Sequence, residues 1–189
     1  MNVAVIGWGS LIWDPRHLAR RGKWRRDGPG LPIEFARVSN DGRLTLVIHP
    51  WSSEQQAYWS PSAMETVEAA RDDLRNRENT PNLENIGWTS RTKDHEVMGD
   101  TEARVRAWLG AHTNLDAAIW TDLRATLTGD DITAQAVAYL GSLPSGTESY
   151  ERARQYVVSA PPQIQTAVRR EMRARGWMDA ELSSDLFEP

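Results

Sequence analysis

The chain has 189 residues, a formal net charge of −4 and no cysteine, enough length for one domain to bury a substantial core without disulfides or metal. The lack of Cys excludes disulfides, thiolate nucleophiles and Cys-based zinc sites, and fits a reducing cytoplasm. The four histidines, His17, His49, His95 and His112, stand singly, with no spacing that places two imidazoles on one metal, so no metal is expected. Arg20, Arg21, Lys23, Arg25 and Arg26 cluster, but one basic loop in an acidic chain reads as solvated surface, and nucleic acid is not expected as a partner. No basic leader precedes the first apolar run and no segment approaches a membrane span, so a soluble cytoplasmic protein with no membrane partner is expected. Nothing in the sequence specifies an oligomeric state. Nine tryptophans stand against two phenylalanines, most simply as core and rim packing with an N–H that needs a partner when buried.

The first element is VAVIGWGSLIW, residues 3–13: an apolar strand at residues 3–7, then Gly7-Trp8-Gly9-Ser10. A strand running into Gly-x-Gly suggests a dinucleotide loop. Ile12 stands where the third glycine belongs, Pro15 falls within the first two turns of any helix begun at Ser10, and residues 22–30 read GKWRRDGPG where an acidic ribose ligand should lie. The expectation is a strand-to-loop turn over residues 7–12 that lines a cavity.

Strands follow at residues 33–39 and 44–50, alternating Ile33, Phe35, Arg37 against Leu44, Leu46, Ile48 about an Asn40-Asp41-Gly42 turn, which predicts a β-hairpin. A short strand is expected at residues 56–59. Ser60-Pro61-Ser62, with Glu65 three positions on, predicts a helix start with a capping box, running to Asn79 and stopped by Pro81. Residues 79–100 read as an irregular insertion. A helix is expected over residues 101–111, strands over 117–123 and 132–140, helices over 147–159 and 163–175, and a tail over 178–189. The sum is one α+β domain spanning residues 1–189.

Within the helix after Ser62, Met64, Val67, Ala70 and Leu74 recur at three- and four-residue steps and define a buried stripe, and Glu78 continues it. Burial disfavours an ionised carboxyl and can make a proton carrier near neutral pH. Equally, the last turn can fray, leaving Glu78 to swing outward or pair with Arg75 or Arg77.

GWGSLIWDP resembles the GYGSLIW signature that opens ChaC-type γ-glutamylcyclotransferases. DDLRNRE is similar to the end of that family's helix whose Arg-Glu dipeptide supplies the catalytic Glu. RLTLVIHP, EQQAYW and PSG followed by Tyr150 resemble further family stretches in the same order. The resemblance is strongest over residues 3–15, 43–50, 57–78 and 143–157. It implies a γ-glutamylcyclotransferase-like small mixed β-barrel flanked by α-helices, with no cofactor and a small-molecule γ-glutamyl substrate. It implies Glu78 as the catalytic residue and Trp8, Gly9, Ser10, Leu11 and Tyr150 as substrate-binding residues. Tyr150 reads equally as a half-buried Tyr packing on the sheet, and Arg43, matching a family Arg, as a solvated hairpin residue. The implied reaction is attack of a γ-glutamyl α-amine on its own γ-carbonyl, releasing 5-oxoproline and a free amine. A catalytically silent member of the fold, binding a γ-glutamyl compound or a protein partner, is the alternative. Trp8 replaces the family's Tyr, and residues 79–88 read NTPNLENIGW where glutathione-specific members have a Gly-Gly-Tyr turn. The expectation is that residues 79–88 border the amine pocket, with Trp8 and Trp88 as walls for an apolar or flat amine.

Overall fold

The computed structural model describes residues 1–92 and 99–178, and within them the chain is a mixed α+β fold of two sheets and six helices. Of the expected tail over residues 178–189, Met178 is buried in the core, and residues 179–189 lie outside the described residues. Strand β1 (Val3–Gly7) is buried along its whole length, as an apolar run covered on both faces requires. It pairs antiparallel with β5 (Tyr58–Pro61) and parallel with β7 (Ala117–Thr121), and β7 pairs antiparallel with β6 (Ile86–Ser90), giving the order β5-β1-β7-β6. This mixed sheet is not doubly wound. After Gly9 the chain makes a single helical turn, α1 (Ser10–Trp13), that ends at Asp14 before Pro15.

The second sheet is antiparallel, in the order β3-β2-β4, with β2 at Gly30–Val38, β3 at Leu44–Ile48 and β4 at Glu54–Gln56. The expected hairpin forms between β2 and β3. Gly42 at φ 79° supplies the left-handed residue of its turn, and the Ser39 hydroxyl donates to Asp41 Oδ1 at 2.5 Å. Its register shifts between Phe35 and Arg37: Phe35 opposes Leu46, but Arg37, not Ala36, opposes Thr45. The extra residue is a β-bulge, which moves Arg37 off the face that Ile33 and Phe35 share. Apolar residues of both sheets, among them Ile6, Phe35, Leu44 and Ile119, meet in one core, while Ala36, Val47 and Ile132 form a small second cluster.

Four expectations are corrected. Among the described residues the sheets do not close into a barrel: β4 and β5 are separated by Ala57 alone, yet β4 pairs with β2 and β5 with β1, so the chain changes sheets there. The helix after Ser62 starts later, as α2 (Val67–Glu78), capped by Thr66 Oγ1 accepting from Ala69 N at 3.1 Å, because Pro61 is held in β5 opposite Ala4. Residues 132–140 are helix, not strand. In α4 (Ile132–Ser142) the Asp131 carboxylate accepts from Ala134 N at 2.8 Å, and Ile132, Ala136, Val137 and Leu140 form its buried stripe. Alanine at 134, 136 and 138 favours helix and packs poorly as strand. The described part of residues 79–100 is also not irregular: a 3-10 turn at Leu83–Asn85 leads into β6, a sheet edge that the polar Asn82-Leu83-Glu84-Asn85 run and Gly87 concealed.

The remaining helices are α3 (Asp100–Ala111) and α5 (Glu148–Val158), close to their expected spans, and α6 (Ala167–Ala174), which starts four residues later than expected, capped by Thr166 Oγ1 accepting from Arg169 N at 3.3 Å. The C-terminal end of α2 is held firmly. Asn79, left-handed at φ 51°, caps the helix through its N–H to Arg75 O and Asn76 O. The helix stays closed through Glu78, and it does not fray before the carboxylate.

Candidate functional site

A cleft of about 600 Å³ opens where the end of β1, the Gly9-Ser10-Leu11 turn, the C-terminus of α2, the β2–β3 hairpin and the end of β7 converge. Trp8, with its indole buried and Nε1 donating to Leu46 O at 3.4 Å, ties the turn to β3. Gly9 is needed for close approach: a Cβ there would lie 2.8 Å from the Tyr156 hydroxyl. That hydroxyl accepts from the Ser10 N–H at 3.2 Å. Tyr156 is fixed from its sides by Trp13, edge-on at 5.1 Å between ring centroids, and by Phe35 at 6.5 Å. Burial pushes the Tyr156 phenol above its ordinary pKa, the bonds with Ser10 oppose this, and the Glu78 charge adds to it. The hydroxyl therefore remains a neutral acceptor and donor across the physiological range.

The last turn of α2 delivers Arg77 and Glu78. Arg77 is 2% exposed, and its guanidinium spans the floor of the site. Nη1 donates to Glu78 Oε1 at 2.9 Å, and Nη2 donates to Ser10 Oγ at 3.3 Å and to the Asp14 carbonyl. The Glu78 side chain is 15% exposed and lines the cleft. Its Oε1 also accepts from Thr121 Oγ1 at 3.2 Å, so both hydrogen bonds fall on one oxygen. Oε2 accepts none among the described residues, which leaves it available to a ligand proton. Arg16 closes the arrangement by donating from Nη1 to the Arg77 carbonyl at 3.3 Å.

Trp8, Gly9, Ser10, Leu11 and Glu78 thus line one cleft, although 67 positions separate Ser10 from Arg77 beside Glu78. Both sequence alternatives for Glu78 hold in part: it faces the cavity and it pairs with Arg77. Tyr150 does not line the cleft; it sits half-buried in the first turn of α5, its N–H donating to the capping Thr147 hydroxyl at 3.3 Å. Tyr156, two turns further along the same helix, takes the place by the turn, and it was legible as a member of the buried Ala153, Tyr156, Val157 stripe. Thr121 was not named from sequence, Arg77 was named only as an alternative partner of Glu78, and Arg37 only as part of the hairpin's alternation.

The wall expected from Trp88 is corrected. Asn79, Thr80, Pro81 and Asn85 do border the cleft, but Trp88 lies in a separate groove with Trp120 and Asp122, with the Arg71 guanidinium 5.7 Å from its ring centroid. The antiparallel pairing of Trp88 in β6 with Ile119 in β7 directs it there. The lining is instead rich in cations: Arg16, Arg37, Arg43 and Arg77 against Asp41 and Glu78. Arg43 pairs with Asp41, Nε to Oδ2 at 2.8 Å, and lies 5.6 Å from the Tyr156 ring. The described residues contain no group of three His, Asp or Glu side chains able to hold a metal ion, and no helix long and apolar enough to cross a membrane. No protein-family model, curated protein or solved structure matches the chain.

Proposed function

We propose that the chain is a γ-glutamylcyclotransferase-like enzyme that releases 5-oxoproline and a free amine from a γ-glutamyl compound by intramolecular aminolysis. The observation that carries this reading is the meeting of the Glu78 carboxylate with the Gly9-Ser10-Leu11 turn on one cleft, coupled through the Arg77 guanidinium. The reading rests on the site and on the motif resemblance, not on a barrel, since the two sheets do not close.

On this reading the turn and the Ser10 hydroxyl take the α-carboxylate and γ-carbonyl oxygen of the γ-glutamyl group, the close backbone approach at Gly9 making room. Holding the glutamyl chain folded back on itself turns ring closure into a reaction between prepositioned groups. The α-amine nitrogen attacks the γ-carbonyl carbon. Glu78 Oε2 accepts the amine proton, the carbonyl oxygen gains charge beside the turn's N–H groups, and the bond from the γ-carbon to the leaving nitrogen breaks as Glu78 returns the proton to that nitrogen. The products are 5-oxoproline and the amine. Neither an enzyme nucleophile nor a cofactor enters the scheme.

A screen of γ-glutamyl dipeptides, γ-glutamylamines and glutathione for 5-oxoproline release tests the reading, and release from at least one compound class is expected. The second reading, a silent member that binds such a compound, is favoured by one observation, the Arg77–Glu78 ion pair. Binding of a γ-glutamyl compound with no 5-oxoproline release would select it.

A further inference from the structure

Three of the four guanidinium groups in the cleft are engaged by carboxylates. Arg77 holds Glu78 at 2.9 Å, Arg43 holds Asp41 at 2.8 Å, and Arg16 pairs with Asp14 at 3.4 Å. Arg37 has no carboxylate partner among the described residues; its one side-chain hydrogen bond runs from Nη1 to the Arg124 carbonyl at 2.9 Å. A guanidinium has five N–H donors in a fixed fork, so most of this one remains open to a ligand.

Arg37 owes its position to the bulge. Strict alternation along β2 would put it on the face of Ile33 and Phe35, both fully buried. The extra residue at Ala36 instead sets Arg37 opposite Thr45, and both line the cleft. Ala36 is pinned there, its carbonyl accepting from Thr126 N at 2.9 Å and Leu127 N at 3.0 Å. Bulges next to sites commonly re-aim one side chain, and a half-buried cation with no charge partner is the product of this one. The Arg124 carbonyl that orients Arg37 follows β7 by three residues, and the end of β7 carries Thr121, the hydroxyl bonded to Glu78. Ser10, Tyr156 and Glu78 share that lining, and none of them hydrogen-bonds to Arg37. A ligand gripped at the turn and reacting beside Glu78 has Arg37 available to its departing portion.

We propose that Arg37 is a specificity-determining residue that takes a carboxylate on the departing amine, so that the compound in this cleft is anionic at both ends. The fork of a guanidinium matches a carboxylate with two parallel N–H···O bonds. This inference rests on the γ-glutamyl reading for the identity of the ligand's first end. It replaces the apolar or flat amine expected from Trp8 and Trp88.

The test compares γ-glutamylglycine with γ-glutamylglycinamide, which differ by one carboxylate. Affinity is measured by calorimetry on the Glu78→Gln protein, which leaves the ligand intact, and kcat/KM for 5-oxoproline release on the unaltered protein. The acid should be preferred by about tenfold to a hundredfold, the worth of a charged hydrogen-bonded pair. Arg37→Gln should cut that preference to under about threefold, and Arg37→Lys, which keeps charge without the fork, should retain an intermediate share. Equal handling of acid and amide by the unaltered protein, which needs no variant to fold, overturns the inference and leaves the γ-glutamyl reading standing if 5-oxoproline appears. A preference that survives Arg37→Gln also overturns it. Failure of both compounds to bind or react at millimolar concentration overturns the inference, and failure of every compound in the γ-glutamyl screen overturns the reading as well.

Discussion

Arg77 Nη2 donates to Ser10 Oγ at 3.3 Å while Nη1 of the same guanidinium donates to Glu78 at 2.9 Å. One buried cation therefore sets the distance between the turn after β1 and the carboxylate at the end of α2. Neither element alone presents a site; the guanidinium makes them one.

Arg77→Met should be strongly destabilising. It keeps much of the side-chain volume but leaves Glu78 without its countercharge and the Asp14 carbonyl without its donor. Removing one partner of a buried pair costs about 3 kcal/mol or more, a fall in Tm of roughly 6–12 °C for a chain of this size. Adding Glu78→Gln to that variant should recover part of the loss, because the orphaned charge is then gone. A double-mutant cycle by thermal unfolding measures this, and additive losses would show that the pair is not coupled.

The two tyrosines of α5 should separate cleanly. Tyr156→Phe removes the acceptor of the Ser10 N–H and loosens the turn, which should lower kcat/KM for 5-oxoproline release by about tenfold. Tyr150→Phe should change it by less than about twofold, since surface changes away from a site have small effects. Steady-state kinetics on both variants checks the assignment, and a larger effect at Tyr150 would contradict it.

Acid should weaken the attachment of α3 to the strap preceding β2. Burial works to raise the Asp27 pKa, but the hydrogen bonds from Trp59 Nε1 at 2.8 Å and from His112 outweigh it and hold the carboxyl below its ordinary value. A depressed folded-state pKa contributes stability that is present above the unfolded value, about 3.9, and disappears as pH falls through the folded one. Thermal unfolding of the unaltered protein and of Asp27→Asn, which keeps an acceptor for Trp59, should differ at pH 6 and converge below about pH 3. A difference that grows toward low pH would reverse the sign expected here. Asp27 is largely exposed, so the effect is small and salt-sensitive.

Local periodicity carried the parts of the fold whose pattern and packing agree. The β2–β3 hairpin was legible because its alternation flanks an Asn-Asp-Gly turn, and β1 because its apolar run is covered on both faces. Residues 132–140 misled because Ile132, Ala134, Ala136 and Ala138 alternate as a strand would, while the Asp131 cap and the stripe through Leu140 belong to a helix. Strand β6 was hidden because its edge position demands little apolar sequence beyond Ile86. Glu78 could be placed from the stripe of α2 and the turn from Gly9. Thr121 could not, because only the pairing of β7 brings it to Glu78. Arg37 was invisible for a stronger reason. Alternation assigned it to the core face, and the bulge that reverses the assignment is held by carbonyl contacts to Thr126 and Leu127, far along the chain.

Whether Glu78 carries the proton is tested most directly by the rate of 5-oxoproline release from a single γ-glutamyl substrate, compared between the unaltered protein and Glu78→Gln, with binding of that substrate measured in parallel. Gln keeps the shape and an oxygen to accept from Arg77 and Thr121 but cannot carry the proton. The variant should fold, bind within a few-fold of the unaltered protein, and lose about two to four orders of magnitude in kcat. Undiminished turnover by Glu78→Gln would contradict the proton-carrier role and the mechanism built on it.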